Sequence, residues 1–412
     1  GAPDAHVLGR MGAAAALFAG VIALYLCLAL RDRLDPMEPF KNLINPGTVR
    51  SLGEHLQRVL PDFERRRFEV LAGQGLAALE LKARAMQLCD ALEATLPVDF
   101  VLAADALERA LAPVAADGAP SATPPQAAAG LAGWSLWAVG EFAARRGLDA
   151  PERALPLLHA MTQRFSAEFA IRPFIVRHPE LTFATLVRWT GDPSAHVRRL
   201  VSEGSRPRLP WGLRLQALAL DPSPTLPLLL ALQDDTSDYV RRSVANHLND
   251  IAKDHPELVA QWVETHLPGA GPLRTALLRH ACRGLIKRGH TRTLQAWGQG
   301  RPLRGDATLG LSPKRAKVGG ALTLTVTLTS RARQAQSLVI DYAWFRRLAN
   351  GSLAPKVFKG WHVTLEPGEQ RVLTRRHSLA PVTTRRDYTG VHRIELRING
   401  RAGDSSPFTL SV

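Results

Sequence analysis

An internal repeat restricts the fold of this chain more than any other feature. Asp192-Pro-Ser-Ala-His-Val197-Arg198-Arg199 recurs as Asp235-Thr-Ser-Asp-Tyr-Val240-Arg241-Arg242, an offset of 43 residues. A period of about 40–47 residues is that of HEAT-type helix pairs. In such a unit the Asp caps the second helix and the Val faces the core one turn later. The following Arg then lies on a flank, where it can bond to the Asp of a neighbouring unit or reach outward. A third, degenerate unit runs through Leu273–Leu285. One unit cannot bury its apolar face alone, so units stack into a solenoid with an extended concave binding surface.

The rest of the chain divides by period. From Met37 to about Gly298, apolar residues recur at helical spacing in Leu52–Val59, Leu76–Leu96, Leu155–Phe169 and Leu226–Leu232. Pro113–Gly133, rich in Ala, Pro, Gly and Ser, reads as a long surface loop or a disordered insertion. After Gly300 the period becomes two, first in Leu322-Thr-Leu-Thr-Val-Thr-Leu-Thr. Ser337–Phe345, Trp361–Leu365, Gln370–Ser378 and Val391–Ile398 follow as strands, with turns at Asn350-Gly351, Pro367-Gly368 and Asn399-Gly400. Six or seven short strands predict an immunoglobulin-like sandwich. The expected fold class is therefore mainly α, a HEAT-like α-solenoid over 37–300 followed by a C-terminal Ig-like β-sandwich over 301–412.

Residues 1–36 stand apart. Met11–Leu30 is uncharged and long enough to cross a bilayer, with Arg10 before it and Arg31 and Arg33 after it. A membrane anchor, an uncleaved signal sequence and an extension upstream of a natural start at Met37 are the three readings. The third is preferred, and the segment is set aside for the fold. The expected location is the cytoplasm, in association with the nucleoid; tethering to the inner membrane is the alternative if 11–30 is an anchor.

Charge narrows the partner. The net charge is +15, and residues 302–412 hold 18 Lys and Arg against 7 Asp and Glu, so most of the surplus lies in the β-region. That distribution suits a polyanion. Cys27, Cys89 and Cys282 are too few and too scattered for a disulfide framework or a metal site. His247, His255, His266, His280 and His290 lack zinc-type spacing. No cofactor and no metal are expected.

Four segments set acids or aromatics among arginines in helical stretches: Phe165–Phe174 with Glu168, His196–Gly204 with Glu203, Arg206–Trp211, and Arg241–Asp250. Singly, each has an ordinary explanation. Glu168 with Arg172 and Arg199 with Glu203 are i,i+4 pairs. Asp250 has Lys253 or Lys287 as ion partner, and Trp211 suits a core. Jointly, the acids are expected at equivalent places in successive repeats, converging on one face. No GxGxxG, P-loop, HExxH or GxSxG pattern offers a rival chemistry.

These segments resemble the AlkC group of bacterial alkylated-DNA glycosylases, relatives of the HEAT-like AlkD enzymes. The resemblance is carried by Met37-Glu-Pro-Phe-Lys-Asn-Leu, Ser166-Ala-Glu-Phe-Ala-Ile-Arg-Pro-Phe, Val197 through Trp211, Val240 through Asp254, Pro355-Lys-Val-Phe-Lys and Thr383-Thr-Arg-Arg. It implies hydrolysis of the N-glycosidic bond of 3-methylcytosine and 3-methyladenine in double-stranded DNA, without base flipping, as the opening step of base excision repair. By motif match, Asp250, Glu168, Glu203 and Trp211 line the catalytic cleft. Asp250 would stabilise the sugar cation and orient water, Glu168 and Glu203 would contact the lesion, and Trp211 would pack on deoxyribose or base. Arg198, Arg199, Arg206, Arg208, Arg241 and Arg242 are the expected phosphate contacts of the solenoid. Lys356, Lys359, Arg375, Arg376, Arg385 and Arg386 are those of the β-domain. A monomer without an obligate protein partner is expected. The alternative is a non-catalytic repeat scaffold that binds DNA or protein and uses its acids only in ion pairs.

Overall fold

The computed structural model describes residues 39–114, 129–299, 301–381 and 388–411. The apolar run 11–30 and the pair Arg385 and Arg386 lie outside them. Among the described residues, no helix is long and apolar enough to cross a membrane.

Among the described residues, sixteen α-helices come first: α1 (Pro46–Val59), α2 (Arg65–Gly73), α3 (Leu81–Thr95), α4 (Phe100–Ala110), α5 (Ser135–Arg146), α6 (Pro151–Thr162), α7 (Arg172–Arg177), α8 (Pro179–Trp189), α9 (Ala195–Gly204), α10 (Gln216–Leu220), α11 (Leu226–Leu232), α12 (Asp238–Ile251), α13 (Pro256–His266), α14 (Pro272–Ala281), α15 (Arg283–Arg288) and α16 (Thr291–Ala296). Their starts are written locally. Proline recurs at the first helical position in α1, α6, α8, α13 and α14, where its missing N–H costs no helical hydrogen bond. Asn45 caps α1 through Gly47 and Thr48, and Asp99 caps α4 through Val101 and Leu102.

The 43-residue repeat is the α8–α9 and α11–α12 pairs. Asp192 and Asp235 each accept the backbone N–H two residues on, at 2.8 Å, which sets the turn before α9 and α12. Val197 and Val240 are fully buried. Arg198 donates to the carbonyls of Asp192 and Pro193, and Arg241 donates to those of Asp235 and Thr236. Arg198 also grips Asp235 of the next unit at 2.6 and 3.0 Å. Identical spacing produces identical contacts. Most of the Pro113–Gly133 segment, residues 115–128, lies outside the described residues; beside it the Ala112 N–H donates to the Leu131 carbonyl at 3.0 Å, and Leu131 is buried.

The β-domain has a three-stranded sheet, β1 (Gly305–Ser312), β3 (Ala321–Ser330) and β6 (Gln370–Ser378), ordered β1-β3-β6. A five-stranded sheet is ordered β2-β8-β7-β4-β5, from β2 (Arg315–Lys317), β4 (Gln336–Arg347), β5 (Leu353–Leu365), β7 (Gly390–Ile398) and β8 (Arg401–Ser411). Every second residue of β3, from Leu322 to Leu328, is fully buried in one core with Ile340, Trp344, Ile394 and Phe408. Trp344 occupies the centre, its Nε1 donating to His392 Nδ1 at 3.1 Å. β1, β2 and β8 were not anticipated, and β5 starts at Leu353 rather than Trp361. Pro355 is tolerated there because β5 is an edge strand.

Secondary structure and compactness divide the chain at different places. Helix gives way to strand between Ala296 and Gly305, whereas the two compact units meet between Asp254 and His255. Helices α13–α16 belong to the β-containing unit. Gly289, at φ +76°, lies so near the β7–β8 turn that an added Cβ would meet the Gly400 oxygen at 2.5 Å. Gly400 is equally intolerant, since its own Cβ would meet Gly289 Cα at 2.3 Å.

Candidate active site

In the first unit the three acids meet in one buried row. Glu168 lies just before α7, Glu203 at the end of α9 and Asp250 at the end of α12; α9 and α12 pack against each other. Glu168 Oε2 accepts from Ser166 Oγ at 2.5 Å and from Arg199 at 2.6 Å. Arg199 approaches Glu203 at 3.7 Å. Glu203 Oε1 accepts from Arg206 at 2.6 Å, and its Oε2 accepts from Ser243 Oγ at 2.5 Å. Arg206 continues to Asp250 Oδ2 through Nε at 2.8 Å and a terminal nitrogen at 2.7 Å. Lys253 Nζ closes the row on Asp250 Oδ1 at 2.7 Å.

Burial makes these contacts interdependent. Desolvation opposes the charge on Glu203, but the guanidiniums of Arg206 and Arg199 and the Ser243 hydroxyl overcome it and hold the carboxyl at about 2. Burial likewise opposes the charges of Arg199 and Arg206, and the carboxylates still raise both above the ordinary arginine value. Glu203, Arg199 and Arg206 are therefore ionised throughout the physiological range.

This geometry redistributes the expected roles. The acids do not occupy equivalent repeat positions: 43 residues beyond Glu203 stands Asn246. Helix packing, not the repeat register, brings them together. Glu203 was expected to touch the lesion, yet both its oxygens are bonded within the protein, so it positions Arg199 and Arg206. Arg199 and Arg206 were expected at phosphates; with 4% and 7% of their side chains exposed, they face carboxylates instead. Arg198 and Arg241 are held by repeat turns, which also argues against phosphate contact. Arg208 is bidentate to Asp254 at 2.7 and 2.5 Å on the surface, and Arg242 is 55% exposed with only a 3.8 Å approach to Asp238. Glu168 bonds Arg199 across the fold rather than Arg172 along its own helix, and its Oε1 has no hydrogen-bond partner among the described residues.

Trp211 is not a core residue. It is 54% exposed and adopts a left-handed backbone, φ +64°, a conformation that costs a bulky residue about 1–3 kcal/mol and persists only where its surroundings enforce it. They do. Its ring stacks on Trp137 at 6.4 Å and 19°, and Trp137 stacks in turn on Phe169, the neighbour of Glu168. The loop is pinned by Arg172, which is fully buried and donates to the Leu213 carbonyl at 2.5 Å and the Gly204 carbonyl at 2.8 Å. With no carboxylate bonded to it among the described residues, Arg172 is pushed down by burial, and secondarily by the charge of Arg206, to about 9. Sequence reasoning did not assign it a place in the site, nor Ser166, Ser243, Trp137 or His247. Arg172 and Ser166 lie inside a quoted motif with Glu168, and Ser243 and His247 inside one with Asp250; Trp137 lies in none.

In the β-domain, Lys356 and Lys359 lie on β5 and Arg375 and Arg376 on β6, each strand an edge of its sheet. Arg375 spans the two edges, donating to the Lys359 carbonyl with its guanidinium over Trp361 at 5.2 Å. Lys359 is 56% exposed and pairs with Asp341; Lys356 lies over Phe358 at 5.3 Å; Arg376 is exposed.

Comparison with known proteins gives three findings. Residues 306–412 match the family described as the C-terminal Ig-like domain of the uncharacterised protein YhaZ. The uncharacterised protein YhaZ of Bacillus subtilis (strain 168) is 35% identical over 381 residues, 90% of this chain and 99% of that protein. The Pseudomonas fluorescens alkylpurine DNA glycosylase AlkC, solved bound to DNA containing an abasic-site analogue, aligns with a TM-score of 0.79 and 34% identity, over 90% of this chain and 99% of that one.

Proposed function

The chain belongs to the family of YhaZ and AlkC-type DNA glycosylases, and from that premise we propose that it hydrolyses the N-glycosidic bond of cationic alkylated bases in duplex DNA. The substrates we assign are 3-methylcytosine and 3-methyladenine, excised without withdrawing the base from the duplex. The reaction opens base excision repair and belongs in the cytoplasm, on chromosomal DNA. The observation that carries the reading is the buried carboxylate row, anchored by Arg206 at the start of the loop that presents Trp211.

A base already carrying positive charge needs no protonation to leave. As its bond to C1′ breaks, the bonding pair goes to the base and neutralises it, while positive charge develops on the sugar. Water then adds to C1′ and releases a proton to solvent. The protein's task is thus electrostatic: a fixed anion opposite a developing cation, in a site of low dielectric. Asp250, locked at Oδ2 by Arg206, is such an anion. Glu168, with Oε1 open, is the second acid able to touch substrate. Trp211 offers an exposed aromatic face to a cationic base or to the deoxyribose. Glu203 works indirectly, by keeping Arg199 and Arg206 in place. Arg208 and Arg242 on the helical unit, and Lys356, Lys359, Arg375 and Arg376 on the sandwich edge, are the remaining phosphate contacts.

The test is release of methylated base from duplex DNA by wild type and by Asp250→Asn. Wild type should release both bases, and the variant should be slower by about a hundredfold, the scale of one electrostatic stabiliser. No release by folded wild type would leave a DNA-binding scaffold as the better account; equal release would remove Asp250 from the reaction.

A further inference from the structure

Asp250 has two kinds of partner. Its Oδ2 is held by Arg206, whose side chain is 7% exposed and which is fixed a second time by Glu203. Its Oδ1 is held by Lys253, whose side chain is 44% exposed and whose one carboxylate partner among the described residues is Asp250. The Asp250 side chain itself is 2% exposed. Anything that is to meet Oδ1 must therefore take the place of the ammonium. The two cations also differ in kind. A buried guanidinium that holds Oδ2 through two of its nitrogens is costly to remove, whereas a lysine past the end of its helix, on a flexible four-carbon stem, exchanges readily with water.

We propose that the Lys253 ammonium is a displaceable occupant of the substrate's cation position, standing opposite Asp250 until positive charge on the sugar or base replaces it. The inference rests on the glycosylase reading above and adds a specificity device to it. A neutral nucleoside gains nothing from Asp250, because it cannot compensate the ion pair it would break. A cationic one exchanges like for like. Lys253 would thus set a threshold of charge that undamaged DNA does not reach, while keeping a buried carboxylate paired between turnovers.

The experiment measures binding of the full chain to two duplexes. One carries a pyrrolidine abasic analogue, cationic at the ring, and the other the neutral tetrahydrofuran analogue. Their affinity ratio cancels any phosphate contact that Lys253 makes. Wild type should prefer the cationic duplex, and Asp250→Asn should abolish that preference. In Lys253→Met the ratio should rise by about fivefold, the scale on which one partly exposed ion pair moves an equilibrium. In Lys253→Arg, whose fork grips a carboxylate more firmly, it should fall below wild type. A ratio in Lys253→Met equal to or below that of wild type, in protein with an unchanged circular dichroism spectrum, overturns the inference. If wild type releases methylated base and prefers the cationic duplex, that failure leaves the glycosylase reading intact. If wild type does neither, the glycosylase reading falls first.

Discussion

The carboxylate row of the helical unit and the basic edge of the β-sandwich use the same ionic groups under opposite conditions. In the row, every charge but that of Lys253 lies where water is scarce, and each is held by another: Glu168 by Arg199, Glu203 by Arg206, Asp250 by Arg206 and Lys253. On the sandwich edge, Lys356, Lys359 and Arg376 are exposed; Lys356 lies over the Phe358 ring and Lys359 pairs with Asp341. The first arrangement fixes geometry and is costly to disturb. The second is cheap to disturb and sensitive to salt. On the function proposed above, the difference separates residues that would shape a site from residues that would meet a polyanion.

That contrast can be broken most decisively at Arg206. Arg206→Met leaves Glu203 and Asp250 buried without their shared partner and should destabilise the protein by about 3–5 kcal/mol, read as a shift in urea midpoint. A loss under about 1 kcal/mol, the range of exposed pairs, would mean that the row is no different from a surface ladder.

Acid offers a second, smaller handle. His247 is fully buried beside the row, its Nδ1 bonded to the Ser202 carbonyl at 2.9 Å, and burial depresses it to about 4. A histidine at 6.5 when unfolded takes up its proton more readily in the unfolded chain. Stability is therefore complete above about pH 6.5 and falls by roughly 1.4 kcal/mol per unit as pH drops toward 4. Glu203, held at about 2, adds a further loss that begins below its ordinary value near 4.5. Urea titrations at several pH values should show the upper slope in wild type and lose it in His247→Asn. Parallel slopes would detach His247 from it.

The smallest effect belongs to the sandwich. Arg376→Gln should weaken duplex binding a few-fold at low salt and reduce the slope of log affinity against log salt by about one, with stability changed by less than about 0.5 kcal/mol. An unchanged slope would take Arg376 off the DNA.

What could be read from the sequence follows the same division between local and assembled. The repeat and the bond from Arg198 to the Asp of the next unit, one of the two placements open to a flank Arg, are set by short-range spacing and were legible; the aspartates set the turn before each helix through the Ser194 and Ser237 N–H rather than capping it. So were β3 and β6, with alternation and a Pro-Gly turn to mark them. β8 escaped notice because only Ser406, Phe408 and Leu410 of its eleven residues are buried, and Pro407 interrupts the pattern. The membership of Glu168, Glu203 and Asp250 in one site came from motif resemblance. Their order in the row did not, because no spacing along the chain encodes that Arg199 turns to Glu168 rather than to its helical neighbour alone. The left-handed backbone of Trp211 had no signal at all. It is imposed by Arg172 and Trp137, residues distant in sequence from the loop they hold.

The contact between Gly289 and Gly400 bears on how this architecture can be taken apart. The family match that begins at residue 306 marks what is recognisable as a sandwich, but a fragment cut there would lose the helical collar against which its β7–β8 turn is moulded. Two glycines facing each other leave no side chain to adjust, so a sandwich from a relative could be grafted only if its own helices came with it. The portable module is thus larger than the domain that sequence comparison delineates, and exchange between relatives would succeed at the junction before His255 sooner than at the start of the strands.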